Sequence, residues 1–326
     1  LPAERLFPVP PDHPFAIDVE IVGEFSLHRL LDTAIAREGS QRLHQWLLES
    51  VPQPKAVEQR QQQVRELADQ THFRERLTLA ATLAVDKPGE QWAGQELGDW
   101  LQDEGIGGSL RPLLIGLTGL AGLNWLLFAG NQLWQWPPLW IGSIVVYGVL
   151  FITRGFRRTE TLFSDVLFLT DRLRVLNGVF AFLEGWHYRQ MPRVKQLCQP
   201  FLDEGERPSA HISRIQRVVA GVGLRQNWLL GFVLNALLPW DVYFAYRLDQ
   251  CRADLAEQLP NWLDIWYELE AMNSLATFAY LNPGESVWPR FSSENQPEFI
   301  ATELGHPLIP SEQRVCNDAR LDTEQT

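Results

Sequence analysis

The sequence predicts a mainly α-helical chain with an inserted transmembrane helical hairpin and a few short β-strands at its C-terminal end. Three observations predict it. Apolar residues recur at three- and four-residue steps through most of the 326 residues, which is the spacing of one face of an α-helix. Between Arg111 and Arg154 there is no Asp, Glu, Lys, Arg or His across 42 residues. From Ser286 onward, Pro289, Pro297 and Pro307 punctuate short segments, and Phe299–Leu304 alternates loosely as a strand does.

The charge-free stretch holds two apolar runs, Pro112–Gly130 and Leu139–Thr153, joined by Asn131–Pro138. At ~1.5 Å per residue the first run spans roughly the ~30 Å hydrocarbon core of a bilayer. The second is shorter unless Leu133–Trp136 joins it. The Pro137-Pro138 pair suits a turn or a helix start. Trp134, Trp136 and Trp140 then fall at the headgroup level that indole rings favour. A buried hairpin inside a large helical core is the competing placement. Arg154, Arg157 and Arg158 follow the second run, so the positive-inside rule puts both hairpin ends, and the bulk of the chain, on the cytoplasmic side. The expected location is a bacterial-type inner or plasma membrane. These arginines set topology, and each could add ~1 kcal/mol of attraction to anionic headgroups.

The remaining elements follow in order. Leu1–Pro14 is a Pro-rich, extended lead-in without the apolar run of a signal peptide, and residues 1–24 precede the helical body. Helices begin near Phe25, with Leu27, Leu30, Leu31, Ala34 and Ile35 on one face. Gly39-Ser40 is expected to break the run, with Ser40 capping a helix that turns Leu43, Trp46 and Leu47 inward. Val57–Leu83 reads as one helix that buries Val64, Leu67, Phe73 and Leu77 and exposes Glu58, Arg60, Gln61 and Arg65. Trp92–Gln102 is a short amphipathic helix, and a Gly-rich approach closes the first half of the helical core, residues 25–110. The hairpin occupies 111–158 and the second half of the core 159–285. That half contains a helix over Thr159–Trp186, a polar loop over Pro200–Pro208 and a helix over His211–Leu238. Gln226–Trp240 carries no charge in 15 residues; that is short for a span and reads as a core helix, with a third membrane segment as the alternative. Asp241 opens a further stretch that Pro260 kinks or divides before Trp262–Tyr280. Residues 286–326 are the first strands of another domain, Phe299–Leu304 and then Arg314–Asn317, and the expectation is a piece of a longer protein.

Composition narrows the function classes. The net charge of −12, with only Lys55, Lys87 and Lys195 as lysines, argues against a nucleic-acid clamp acting by bulk electrostatics. Cys198, Cys251 and Cys316 are far apart and form no metal-ligand spacing, so a reducing compartment is the simplest reading. No GxxxxGK[ST], HExxH or GxSxG string occurs, so the chain cannot by itself cradle a triphosphate. Gly105–Ser109 is Gly-rich but lacks the lysine and the preceding strand, and reads as a linker. Asp32 reads as a helix-end polar group, and Trp262 and Trp266 as core or lipid-facing anchors.

Leu30-Leu31-Asp32-Thr33, the Gly39-Ser40 pair, Leu43-His44-Gln45-Trp46-Leu47 and Glu58-Gln59-Arg60-Gln61 together resemble the opening of the core domain of the MutS family of DNA mismatch-repair ATPases. Glu268–Tyr280 resembles that family's helix returning to the ATPase domain, and Gly305-His306-Pro307 its Gly-His-Pro turn. Val315-Cys316-Asn317-Asp318 is similar to the strand that closely precedes its phosphate-binding loop. The resemblance covers the two ends of the chain. It implies a MutS-like helical core and an ATPase domain beginning near Ser286 and continuing past Thr326. It also implies ATP and Mg2+ as cofactors of that domain, a homodimer, and DNA as a partner beside the lipid bilayer. It puts Arg314, Val315 and Asn317 next to the adenine and makes His306 a turn residue between strand and core. Arg314 stands where the family often has a stacking aromatic residue; a surface arginine at a strand start is the plainer reading. The family's mismatch reader precedes its core, whereas no such domain precedes Phe25; Phe73-Arg74-Glu75 fits its Phe-x-Glu wedge only by chance, inside a core helix. No small-molecule substrate is evident. The functional expectation is the helical core of a membrane-tethered MutS-like ATPase that couples ATP-driven dimerisation to DNA or partner binding. The alternative is a membrane-anchored helical scaffold with no DNA role.

Overall fold

A computed structural model describes residues 7–8, 13–84, 94, 97–98, 101, 110–156, 176–205, 207–223, 228–292 and 298–321. These residues are mainly helical, with one two-stranded antiparallel sheet. The chain divides into two units. The first joins Leu1–Ala93, His187–Cys198 and Asp264–Thr326; the second joins Gly94–Trp186 and Gln199–Leu263.

In the first unit, α1 (Leu27–Leu31) starts at Ser26, whose hydroxyl accepts from the Arg29 amide. It ends at Asp32, where the backbone turns extended, as expected of a helix-end residue. Next comes α2 (Arg37–Leu47), and its position corrects one expectation. Gly39 and Ser40 do not break the chain; they lie inside the first turn of α2, both buried. α3 (Pro54–Ala68) opens with proline at its first position, where the missing N–H costs nothing. α4 (Thr71–Ala84) follows after Asp69-Gln70, so Val57–Leu83 is two helices and not one. Register explains the division. Leu67 and Phe73 are six residues apart, about 240° round an unbroken helix, yet both are fully buried. Breaking the helix lets α3 bury Val64 and Leu67 while α4 buries Phe73 and Leu77.

α8 (Pro192–Leu197) belongs to the same unit and sits against α3, with Tyr188 beside Phe73 at 6.0 Å between ring centroids. The unit's C-terminal sheet pairs β1 (Phe299–Leu304) with β2 (Asn317–Leu321), Phe299 opposite Leu321 and Leu304 opposite Asn317. The first strand lies where the alternation predicts. The second starts at Asn317 instead of Arg314, because the Arg314 side chain turns back to Ile309 and holds 314–316 in the connecting loop.

The second unit contains the hairpin: α5 (Leu110–Trp134), then α6 (Leu139–Leu150), which continues as a wider π turn over Phe151–Phe156. α5 takes in Leu133 and Trp134, so Leu133–Trp136 does not join the second run. Its other helices are α7 (residues 176–185), α9 (Gln199–Leu202), α10 (Pro208–Gly223) and α11 (Trp228–Leu237). Phe180, Phe201 and Trp262 form its aromatic centre, with centroids 5.3 and 6.0 Å from Phe180. α9 occupies the start of the expected Pro200–Pro208 loop, and α10 begins before His211.

α12 (Trp240–Leu281) contributes to both units as one continuous helix of 42 residues. Pro260 does not divide it, although its ring removes the N–H that would bond the Ala256 carbonyl. Pro260 is exposed, and its neighbours Leu259, Trp262 and Leu263 are buried; packing on either side offsets the lost bond. Trp262 and Trp266 are both core residues. Of the expected helix over Thr159–Trp186, residues 157–175 lie outside the described residues, as does most of Trp92–Gln102 and the Gly105–Ser109 linker.

Candidate functional site

Two sites emerge, one in each unit. In the first unit it is a buried polar joint between the α1–α2 segment and the C-terminal part of α12. The first residue before α2 is Ala36, which has no side-chain acceptor for the orphan amides of a helix start. Glu270 of α12 supplies it: the Ala36 amide donates to Oε2 at 2.8 Å and the Ile35 amide to Oε1 at 3.3 Å. Gly39 makes this approach possible, since a Cβ there would lie 2.5 Å from Glu270 Oε2 and 2.9 Å from Glu270 Cβ. One turn further along α12, the Ser274 hydroxyl accepts from the Thr33 amide at 3.1 Å. Asp32 closes the joint from the other side, accepting from the Ser40 hydroxyl at 2.6 Å and the Ala34 amide at 3.0 Å. Leu31, Leu43 and Ala271 seal it with an apolar layer, and Arg42 pairs with Asp264 at its exposed rim.

The electrostatics follow from burial. Desolvation raises the Glu270 carboxyl to about 8; the Ala36 and Ile35 amides oppose the shift, and Asp32 and Glu38 add to it. Burial also raises the Tyr267 hydroxyl. In the last turn of α2, His44 is held down to about 4 by burial, with His28 adding to the effect. Phe7 lies against both imidazoles, at 5.7 Å from His28 and 5.1 Å from His44.

A carboxylate reaching from another helix recurs as the device that starts helices here. Glu66 of α3 accepts from the Arg193 and Val194 amides at the start of α8, at 3.0 to 3.1 Å. In the second unit Glu184 accepts from the Ser209 amide at the start of α10, at 2.8 Å. Sequence reasoning misses Glu270, Glu66 and Glu184 because each lies far along the chain from the helix it caps.

The second site is the hairpin. α5 is long and apolar enough to cross a membrane, and only 22% of its most apolar window is buried. A core helix of a large helical body would be mostly buried; this one leaves Ile115, Leu123, Trp125 and Leu126 exposed. Two of its buried positions, Leu117 and Ala121, form a narrow seam against Tyr147 of α6. At the closed end, the Asn131 side chain donates to the Trp136 carbonyl at 2.6 Å and the Trp136 ring lies over Gly130. Trp134 and Trp136 are exposed there, and Trp140 sits edge-on to Phe128 at 5.6 Å. At the open end Arg154 is exposed; Arg157 and Arg158 lie outside the described residues.

The residues expected near a nucleotide do not assemble a site by themselves. Arg314 donates to the Ile309 carbonyl at 2.9 Å and pairs with Glu285 at 3.3 Å, so its guanidinium is engaged inside the unit. Val315 and Asn317 are exposed beside it. The His306 carbonyl accepts from the Ile309 amide at 3.1 Å, closing a turn after β1. Among the described residues no group of three or more His, Cys, Asp or Glu is placed to hold a metal ion. Phe73 is fully buried, so it cannot act as a wedge on a partner. No family model, curated protein or solved structure matches this chain.

Proposed function

We propose that this chain is the helical core of a membrane-tethered, MutS-like ATPase that acts as a homodimer, with the bulk of the chain on the cytoplasmic side of the membrane. In this reading the joint between α2 and α12 passes movement of a following ATPase domain into the helical body, and the hairpin holds that body at the bilayer. DNA, or another partner gripped by the helices, is the expected target. The observation that carries the reading is the joint itself. The two stretches that resemble the family, 234 residues apart at the Ala36–Glu270 hydrogen bond, fold together into one unit. The C-terminal sheet adds support: two strands with Phe299, Ile300, Leu304 and Leu321 exposed suit the edge of a larger sheet.

Duplex binding by the full-length protein, measured with and without ATP over a salt series, tests this. Binding that depends on nucleotide and weakens steeply with added salt is the expected result, because phosphate contacts release counterions. The net charge of −12 and the three lysines favour the alternative, a membrane-anchored helical scaffold. No binding at low salt would replace the DNA reading with that one.

A further inference from the structure

The uncharged stretch Gln226–Trp240 is not the core helix its length suggests. α11 leaves Phe232, Val233, Ala236 and Leu237 exposed, with Leu238 just beyond, and these positions form one helical face. Phe232 is 68% exposed. No charged residue falls between Arg225 and Asp241. In water such a face is unfavourable at about 25 cal/mol per Å2 of apolar surface.

The end of α11 also has an unusual economy of hydrogen bonds. The chain breaks at Leu238-Pro239 before α12 begins, and a break leaves orphan carbonyls and amides. Here side chains meet two of them, the Asn235 carbonyl and the Asp241 amide. Tyr147, midway along the apolar segment Leu139–Gly155 of the hairpin, donates its hydroxyl to the Asn235 carbonyl at 2.7 Å. The Asn235 side chain donates to the Gly231 carbonyl at 3.0 Å and accepts from the Asp241 amide at 3.0 Å. The Trp240 indole donates to the Gly221 carbonyl at 3.2 Å. Val242, the third residue of α12, is buried with Leu117, Ala121 and Tyr147 of the hairpin. Irregular backbone at membrane depth is tolerated only where protein satisfies it, as side chains do here for the Asn235 carbonyl and the Asp241 amide.

From these observations we infer that α11 and the Leu238–Trp240 corner form a half-span membrane element, whose exposed face contacts the acyl chains of one leaflet. The inference rests on the reading that the hairpin lies in the bilayer. Three features select lipid as the occupant. The helix that carries the exposed face is joined to the hairpin by the Tyr147–Asn235 bond. Ten residues of helix rise ~15 Å, half of a ~30 Å hydrocarbon core, which explains why the segment is too short to cross. And the corner lies beside Tyr147, midway along the apolar segment Leu139–Gly155 and away from its Trp-lined end, which places its tip near mid-depth.

The test uses the full chain reconstituted in phosphatidylcholine–phosphatidylglycerol vesicles whose acyl chains carry bromine, a short-range quencher. A single environment-sensitive fluorophore is attached in the Cys316→Ser background at Phe232→Cys, at Ile144→Cys as the hairpin reference, or at Val51→Cys as the aqueous reference. All three positions are exposed, so labelling does not disturb a core. The expected result is loss of emission at 232 comparable with that at 144, and none at 51. A label at Leu237→Cys, on the same face, repeats the measurement independently. Quenching at 144 with 232 and 237 matching the aqueous reference would overturn the half-span element and leave the hairpin in the membrane. Absence of quenching at 144 as well would overturn the hairpin reading, and this inference with it.

Discussion

Gly39→Ala puts the polar joint to a test in which two physical effects have opposite signs. Gly39 is in the first turn of α2, where replacing glycine by alanine ordinarily stabilises a helix by about 1 kcal/mol. Here the added methyl would meet Glu270 Oε2 at 2.5 Å and Glu270 Cβ at 2.9 Å, and the second contact cannot be relieved by rotating a side-chain end. Either α2 and α12 move apart, at an overpacking cost of about 1–3 kcal/mol, or Glu270 withdraws from the Ile35 and Ala36 amides. Withdrawal leaves the Ile35 and Ala36 amides without their acceptor, at about 1–3 kcal/mol each, so it costs more. The cheaper route is separation, so after subtracting the propensity gain the expected net loss is about 0–2 kcal/mol. Urea titration of the chain in detergent, followed by tryptophan emission, should show a lower midpoint at unchanged slope. In a Glu270→Gly background, which removes the Cβ as well as the carboxyl, the same substitution should lose its penalty, because the two sites are coupled through contact. A raised midpoint for Gly39→Ala alone would refute the close approach of Glu270 to α2.

Glu270 also gives the fold a pH dependence. Its folded carboxyl titrates near 8 against an ordinary value of 4.5, so the folded state holds the proton more tightly. Stability from this group is therefore full below the ordinary value and declines as pH rises from there toward 8. Melting temperatures across that window should fall for the native chain and flatten in Glu270→Gln, which keeps one acceptor for the α2 amides; parallel slopes would contradict the assignment. Ser40→Ala removes the hydroxyl that donates to buried Asp32 at 2.6 Å, and the lost charge-assisted bond should cost about 1.5–3 kcal/mol in the same urea assay; no change in midpoint would count against the bond. Thiol reactivity offers a third check. Cys316 is exposed, whereas Cys198 is buried and burial raises its thiol to about 12. Maleimide should therefore modify Cys316 in the native chain and Cys198 only after unfolding, and rapid native labelling of Cys198 would contradict the packing of α8.

Much of the architecture was legible because it rests on local patterning. A run with no charge between Arg111 and Arg154 can only be a helix pair that avoids water or is covered, and the hairpin forms there. The alternation in Phe299–Leu304 and the apolar spacing around Val64, Leu67, Phe73 and Leu77 were likewise readable residue by residue. The joint was half legible. Asp32 behaves as the helix-end group its type suggests, but Gly39-Ser40 looks like a break on propensity alone, and only Glu270 shows why those two small residues sit inside a helix.

Sequence alone therefore determined which stretches are helical, where the uncharged hairpin lies and where the strands begin to appear. Each of these follows from side-chain period and charge within a few turns of chain. Tertiary structure decided where helices start and stop. Glu270, Glu66 and Glu184 cap helices from far along the chain, and the Leu67–Phe73 register splits one expected helix into two. It also decided that α12 runs unbroken through Pro260 and that α11 turns its apolar face outward. The physical reason is common to all of them. A backbone amide, a proline gap or an apolar face is satisfied by whatever lies next to it in space, and that neighbour is not written in the adjacent sequence.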